Sequence, residues 1–263
     1  MSVYDYATNN IAKRIAGADP AVCLSRFVGY PSGADKDTFV LNTNFWAKGI
    51  DFSCVSPWNG AHGRQRAGTL ISKRHIIYAN HFPLATGTRI LFVGEEGGVC
   101  PCSLKAYLPV GTRDFMVGLL NAEVTPNIHP AKILPDDFPR QIGSGIGLPT
   151  ASFNQNEELL LNEVYSLQTN GAPGYASTSI RPKSPLMSKF HKDLIGGDSG
   201  NPVFMLIGDQ PILLYCLRSG GSGGGPDIRK HRREIQAVMD KLCPGYRLES
   251  FDFTSLRLST YND

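Results

Sequence analysis

The sequence lacks the features that would tie it to a membrane or to a nucleic acid. It has no apolar run of the roughly 18 residues that a membrane-spanning helix requires, and its first residues do not form a basic segment followed by an apolar core. A net charge of +3 is too small to indicate a nucleic acid or an acidic membrane as a partner. We therefore expect neither partner, predict no export signal, and take the cytoplasm as the default location.

Patterns typical of metal and cofactor sites are also missing. The cysteines include no C-x₂-C pair with the matching cysteines or histidines that zinc requires, and Cys100 and Cys102 are too close for an easy mutual disulfide. The glycine-rich stretch 220–225 does not end in the Gly-Lys-Ser/Thr of a phosphate-binding loop. No metal and no cofactor are expected. Most of the six cysteines are predicted to be reduced packing residues: Cys23, Cys54, Cys100, Cys102, Cys216 and Cys243.

Glycine and proline are plentiful, at 28 and 18 residues. They favour many short strands and turns over a helical bundle. Four prolines between residues 126 and 140 predict a linker between two units. Residues 11–15 fit a short helix, and residues 227–242 fit a longer one with Asp227 as its N-cap, ended by Pro244 and Gly245.

The most informative stretch is 195–202, Ile-Gly-Gly-Asp-Ser-Gly-Asn-Pro. Small neighbours let a substrate carbonyl approach the Ser199 hydroxyl. Gly197 can adopt backbone angles closed to other residues, so its N–H can face the same point as the N–H of Ser199. Two such donors beside a hydroxyl form an oxyanion hole beside a nucleophile. The alternative is an ordinary turn between strands, which uses the same residue types.

Two further residues complete a chemical set in chain order. His81 lies just past the end of a strand predicted after the polar turn 72–74, and Asp114 opens the apolar stretch 115–120. A serine hydroxyl is a weak nucleophile that needs a neighbouring base, and the base needs an acid to hold its tautomer and stabilise its cation. The residue types and their order predict a His81–Asp114–Ser199 triad, and we expect the remaining histidines to be structural.

These segments resemble the chymotrypsin/trypsin-like serine peptidases, especially their divergent bacterial and viral members. Segments 68–71 and 78–81 are similar to the strand-turn-strand that ends in Ala-Ala-His, and 114–119 resembles Asp-Ile-Ala-Leu-Leu. Segment 197–202 matches Gly-Asp-Ser-Gly-Gly-Pro with Asn201 in place of the second glycine. The resemblance covers roughly 38–242, and three ordered motifs are far more specific than one.

The resemblance implies an all-β fold of two packed antiparallel six-stranded barrels with a C-terminal helix and the site in the cleft between them. The corresponding divisions are an N-terminal extension (1–35), a first barrel with His81 and Asp114 (36–134), a second barrel with Ser199 (135–226), and a C-terminal helix and tail (227–263). It implies His81 as the general base and acid, Asp114 as its orienter, Ser199 as the nucleophile, and the N–H groups of Gly197 and Ser199 as the oxyanion hole.

The resemblance also bears on substrate binding. Asp193 occupies the position that lies at the base of the primary specificity pocket, where an acid selects Lys or Arg. The alternative is a solvated loop acid, neutralised by Lys192. Ser219 and Gly220 fall where the family pairs with an extended substrate.

The sequence departs from the family at several places. Phe82 and Gly196 stand where the family has cysteines, and Arg218 falls near the serine that braces the catalytic aspartate. Arg14-Ile15 looks like an activation cleavage site, but an ordinary boundary is the favoured interpretation, so no processing is expected. In the family, the acid before the nucleophile, here Asp198, supports the turn or pairs with the new N-terminus.

We therefore expect a serine endopeptidase acting on a protein or peptide. The alternative function is a catalytically inactive chymotrypsin-like module with a binding or structural role. An esterase of the α/β-hydrolase type is excluded, because the order His, Asp, Ser is wrong and no Gly-x-Ser-x-Gly elbow occurs. The sequence carries no signal for an oligomeric state.

Overall fold

A computed structural model describes residues 2–29, 39–57, 68–167, 175–178, 181–218 and 223–256. The chain is mostly β with few helices, at 33% strand and 17% helix. One sheet curls into a half-barrel, and within the described ranges the second sheet is not closed. The β-rich class expected from the sequence is confirmed, whereas two closed six-stranded barrels are not shown.

The first sheet has five antiparallel strands in the order β1-β2-β5-β4-β3. Their apolar side chains explain the burial: every residue of β2 and β5 is buried. The strands are β1 (Thr69–Ser72), β2 (His75–Ala79), β3 (Arg89–Val93), β4 (Val99–Pro109) and β5 (Phe115–Leu120).

The second sheet has seven strands in the order β12-β9-β8-β7-β10-β11-β6. Its pairs are antiparallel except β11 with β6, which is parallel. The strands are β6 (Lys132–Ile133), β7 (Pro149–Phe153), β8 (Leu159–Ser166), β9 (Tyr175–Thr178), β10 (Pro202–Ile207), β11 (Gln210–Cys216) and β12 (Gly224–Pro226).

The proline-rich segment 126–140 contributes to both sheets. The N–H of Ala131 donates to the carbonyl of Leu70 in β1 at 2.8 Å. The next two residues form β6 and pair with Ile212 and Leu213 of β11. This segment therefore joins the two sheets through backbone hydrogen bonds and is more than a linker.

The helices differ from the sequence prediction at their starts. Helix α1 spans Val3–Ile15, much longer than the expected 11–15, because Ser2 and Asp5 form a capping box at its start. Helix α5 spans Arg232–Leu242, so the prediction of Asp227 as its N-cap is wrong. The short helices are α2 (Pro20–Cys23), α3 (Pro139–Ile142) and α4 (Pro185–Ser188), and a 3₁₀ turn covers Phe253–Ser255.

Asp227 has a different partner. Its carboxylate accepts hydrogen bonds from the N–H of Arg229 at 3.0 Å and from its guanidinium at 2.9 Å. Both side chains are buried, and burial raises the pKa of Asp227. The Asp227 carboxylate therefore binds Arg229 and does not cap helix α5, which begins at Arg232.

All six cysteines are free thiols, and five of them are buried. Burial and the charge of Asp114 raise the pKa of Cys216 to about 12, so this thiol is neutral.

No helix in the described ranges has the length and apolar character needed to cross a membrane.

Candidate active site

Antiparallel pairing of two strands places His81 beside Asp114. Ala79, the last residue of β2, pairs with Phe115, the first residue of β5. The residues just beyond this pair therefore face each other, and the N–H of Asn80 donates to the carbonyl of Asp114 at 3.3 Å. The N–H of His81 donates to Asp114 Oδ1 at 2.8 Å, which fixes the carboxylate against the backbone.

The second oxygen of Asp114 meets the imidazole. Asp114 Oδ2 lies 2.6 Å from His81 Nδ1, and His81 Nε2 lies 2.9 Å from Ser199 Oγ. A carboxylate can only accept, so Nδ1 carries the proton and the neutral ring presents Nε2 to the serine as an acceptor. The imidazole is 43% exposed and the carboxylate 12%. The set can therefore take a proton from Ser199 while remaining open to a substrate.

Two backbone bonds hold Ser199 in place. The N–H of Gly200 donates to the carbonyl of Leu217, and the N–H of Leu217 donates to the carbonyl of Asn201, both at 2.8 Å. These bonds fasten the turn before β10 to the end of β11. Gly200 has a φ of 88°, a conformation that favours glycine. Ser199 thus lies beside the second sheet, while His81 and Asp114 lie at the ends of strands of the first.

The backbone before Ser199 suits an oxyanion hole. Gly197 has a φ of 108°, and in the described part of the chain neither its N–H nor that of Ser199 donates to another residue. A β-carbon at Gly196 would meet no atom within 4 Å, so the space on that side of Gly196 is open. Two uncommitted N–H groups beside a serine hydroxyl can bind an oxygen that carries developing negative charge.

Asp198 supports this turn through hydrogen bonds. Its side chain is buried, with Oδ1 accepting from the N–H of Gln155 at 2.9 Å and Oδ2 from the N–H of Ile195 at 2.8 Å. Its carbonyl accepts from the N–H of Asn201 at 3.1 Å. These contacts give Asp198 a structural role in the turn.

Arg218 lies beside the triad. Its Nε is 3.6 Å from Asp114 Oδ2, and its side chain is 52% exposed. The Asp114 carboxylate therefore lies next to a cation as well as next to His81.

Of the expected substrate-binding residues, Asp193 is exposed, and the others lie beyond the described ranges. The Asp193 carboxylate is 70% exposed and lies 3.6 Å from His191 Nε2, and Lys192 binds Glu158 at 2.6 Å. Asp193 is therefore solvated and is not enclosed in an apolar pocket. Ser219 and Gly220 lie outside the described residues.

Other histidines differ from His81 in their surroundings. His129 Nδ1 also meets a carboxylate, Asp51 Oδ2 at 2.6 Å, but its 63% exposed ring has no serine hydroxyl bonded to Nε2 in the described part. Burial lowers the pKa of His75 to about 4, so this ring is neutral in the core. In the ranges that the structure covers, no group of three or more His, Cys, Asp or Glu side chains could hold a metal ion.

One residue at the site was missed by sequence reasoning. Gln155 lies in the turn between β7 and β8 and touches the 195–199 segment through its backbone and its side chain. No pattern around it indicates this role, because the contact depends on how two distant turns pack.

A scan of protein-family models and a search of curated proteins find no match to the chain.

Proposed function

We propose that the protein is a serine endopeptidase that cleaves a protein or peptide through an acyl-enzyme on Ser199. The observation that carries the proposal is the continuous chain of contacts from Asp114 Oδ2 through His81 to Ser199 Oγ, at 2.6 and 2.9 Å. Both distances lie within the range required of a nucleophile, its base and the acid that orients the base.

The first half of the proposed reaction forms the acyl-enzyme. Ser199 Oγ attacks the substrate carbonyl carbon and gives its proton to His81 Nε2. The carbonyl oxygen becomes an anion and accepts hydrogen bonds from the N–H groups of Gly197 and Ser199. Asp114 stabilises the imidazolium that forms without taking its proton. Collapse of the intermediate breaks the peptide bond, and His81 Nε2 returns the proton to the leaving amine.

Hydrolysis repeats these steps with water. His81 removes a proton from a water molecule, whose oxygen attacks the acyl carbon, and the same two N–H groups hold the new oxyanion. The proton then passes from His81 to Ser199 Oγ as the product acid leaves. No metal or cofactor takes part in this scheme.

We also propose that the two sheets are divergent counterparts of the two six-stranded barrels of the chymotrypsin-like family. In support, the base and the acid lie on the first sheet and the nucleophile on the second, as that arrangement requires. An additional bridge between Val55 and Thr69 extends the first sheet beyond β1.

A fluorophosphonate probe tests the proposed function, because it reacts with an activated serine without the need to know the substrate. We expect a covalent adduct at Ser199, located by mass spectrometry, and its loss in Ser199→Ala. Ser152, a serine of β7 that is remote in sequence from the triad, should remain unlabelled in both proteins. Absence of an adduct on wild-type protein after prolonged incubation would instead favour an inactive module that binds or supports a partner.

A further inference from the structure

Gln155 contacts the turn that carries the nucleophile at two points. Its backbone N–H donates to Asp198 Oδ1 at 2.9 Å, and its side-chain Nε2 donates to the carbonyl of Gly196 at 3.3 Å. The first bond anchors the acid that supports the turn. The second reaches the peptide bond that joins Gly196 to Gly197.

This peptide bond determines where one oxyanion donor points. The carbonyl of Gly196 and the N–H of Gly197 belong to the same planar trans peptide, so they point in opposite directions. A bond that holds the carbonyl toward Gln155 therefore turns the N–H away from Gln155. Rotation of the peptide would reverse both groups and remove the donor from the oxyanion hole.

Little else in the local sequence resists such a rotation. Both flanking residues are glycines, which have the widest range of backbone angles. A β-carbon at Gly196 would touch nothing within 4 Å, so no neighbouring atom packs against that side of the residue. At Gly197, in contrast, a β-carbon would lie 2.7 Å from Gln155 Oε1, which shows how closely the glutamine side chain lies against this peptide.

We propose that Gln155 is a positioning residue that holds the Gly196–Gly197 peptide with the Gly197 N–H directed into the oxyanion hole. The inference rests on the proposed function and names a residue that this reaction needs beyond the triad. In the uncleaved chain the Asp198 carboxylate already accepts from the backbone N–H groups of Gln155 and Ile195. The turn therefore needs no N-terminal amine, released by cleavage, as a partner for Asp198.

The test compares three variants. Gln155→Ala removes the side-chain amide but keeps the backbone bond to Asp198, and Gln155→Glu replaces the donor with an acceptor that repels the Gly196 carbonyl. Asn156→Ala is the matched control, because Asn156 is exposed in the same turn and its side chain has no hydrogen bond in the described part of the chain.

We expect Gln155→Ala to lower kcat about 10- to 100-fold with little change in KM, since loss of an oxyanion donor costs about 100- to 1000-fold and misorientation is partial. Binding of a peptide aldehyde, whose adduct carries an oxyanion, should weaken by a similar factor. Gln155→Glu should be slower still, and Asn156→Ala should match wild type. A kcat for Gln155→Ala within twofold of wild type would overturn the inference, as would a fall in activity explained by unfolding.

A second measurement does not depend on catalysis. In ¹⁵N relaxation-dispersion NMR, the Gly197 amide should show new exchange in Gln155→Ala and none in Asn156→Ala. An unchanged Gly197 amide would refute the positioning role even in an active enzyme. If wild-type protein fails to label at Ser199 while Gly197 becomes mobile in Gln155→Ala, the proposed function fails and the positioning of the peptide stands.

Discussion

Replacing Arg218 with Gln should make Ser199 react faster. His81 becomes positively charged when it takes the serine proton. The Arg218 guanidinium lies near the imidazole and repels that charge. Without this cation the imidazolium that forms in the transition state is more stable, so the barrier to attack by Ser199 is lower.

The distances give the size of the effect. His81 Nδ1 lies 2.6 Å and Arg218 Nε 3.6 Å from the same oxygen, Asp114 Oδ2, so the two nitrogens are at most about 6.2 Å apart. At that separation two unit charges repel by about 0.7 kcal/mol in water and by about 1.3 kcal/mol at an effective dielectric constant of about 40. The high-dielectric range applies because the Arg218 side chain is 52% exposed. We therefore expect the labelling rate of Arg218→Gln to be about three- to tenfold higher than that of wild type.

The assay is the second-order rate of fluorophosphonate labelling of Ser199, measured at one fixed pH and low salt. Arg247→Gln is the control, because it removes an equal charge from the segment after α5. Its labelling rate should match that of wild type. High salt should bring the Arg218→Gln and wild-type rates together, since ions screen exposed charges. An unchanged or lower labelling rate for Arg218→Gln would refute the electrostatic reasoning.

Two further predictions concern processing and specificity. Protein that retains an intact Arg14–Ile15 bond should label fully at Ser199, because Ile15 is buried at the end of α1 and Asp198 already has its donors; mass spectrometry of the labelled chain checks this, and labelling only after cleavage would contradict it. Asp193→Ser should leave the cleavage sites in a mixed peptide library unchanged, because its carboxylate is 70% exposed beside His191. Cuts after Lys or Arg that disappear in this variant would instead place Asp193 in a specificity pocket.

The sequence predicts the candidate triad because its signals are local. His81 comes two residues after the last residue of β2, and Asp114 comes one residue before the first residue of β5. A strand of apolar residues is recognisable from a few neighbours, and in the sheet antiparallel pairing brings the end of β2 beside the start of β5. The short glycine-flanked turn around Ser199 is recognisable in the same way.

The features that sequence reasoning missed depend on packing between distant segments. Gln155 contacts Asp198 across 43 positions. Strand β6 has two residues and acquires its pairing only from β11. Asp227 is of a residue type that is common at N-caps. Arg229 binds its carboxylate, however, and the helix starts after His231. In each case a contact with another segment, or a competing local contact, determines the structure. The local sequence pattern does not indicate that contact.

Main-chain bonds help to hold the segments that carry the three proposed catalytic residues. The N–H of Asn80 binds the carbonyl of Asp114, and the N–H of Gly200 binds the carbonyl of Leu217. Both bonds remain when Ser199 loses its hydroxyl. Asp114 differs, because its carboxylate also accepts from the N–H of His81 at 2.8 Å and so supports the backbone. Ser199→Ala therefore separates chemistry from folding more cleanly than any change at Asp114, which is why it is the decisive variant for the proposed function.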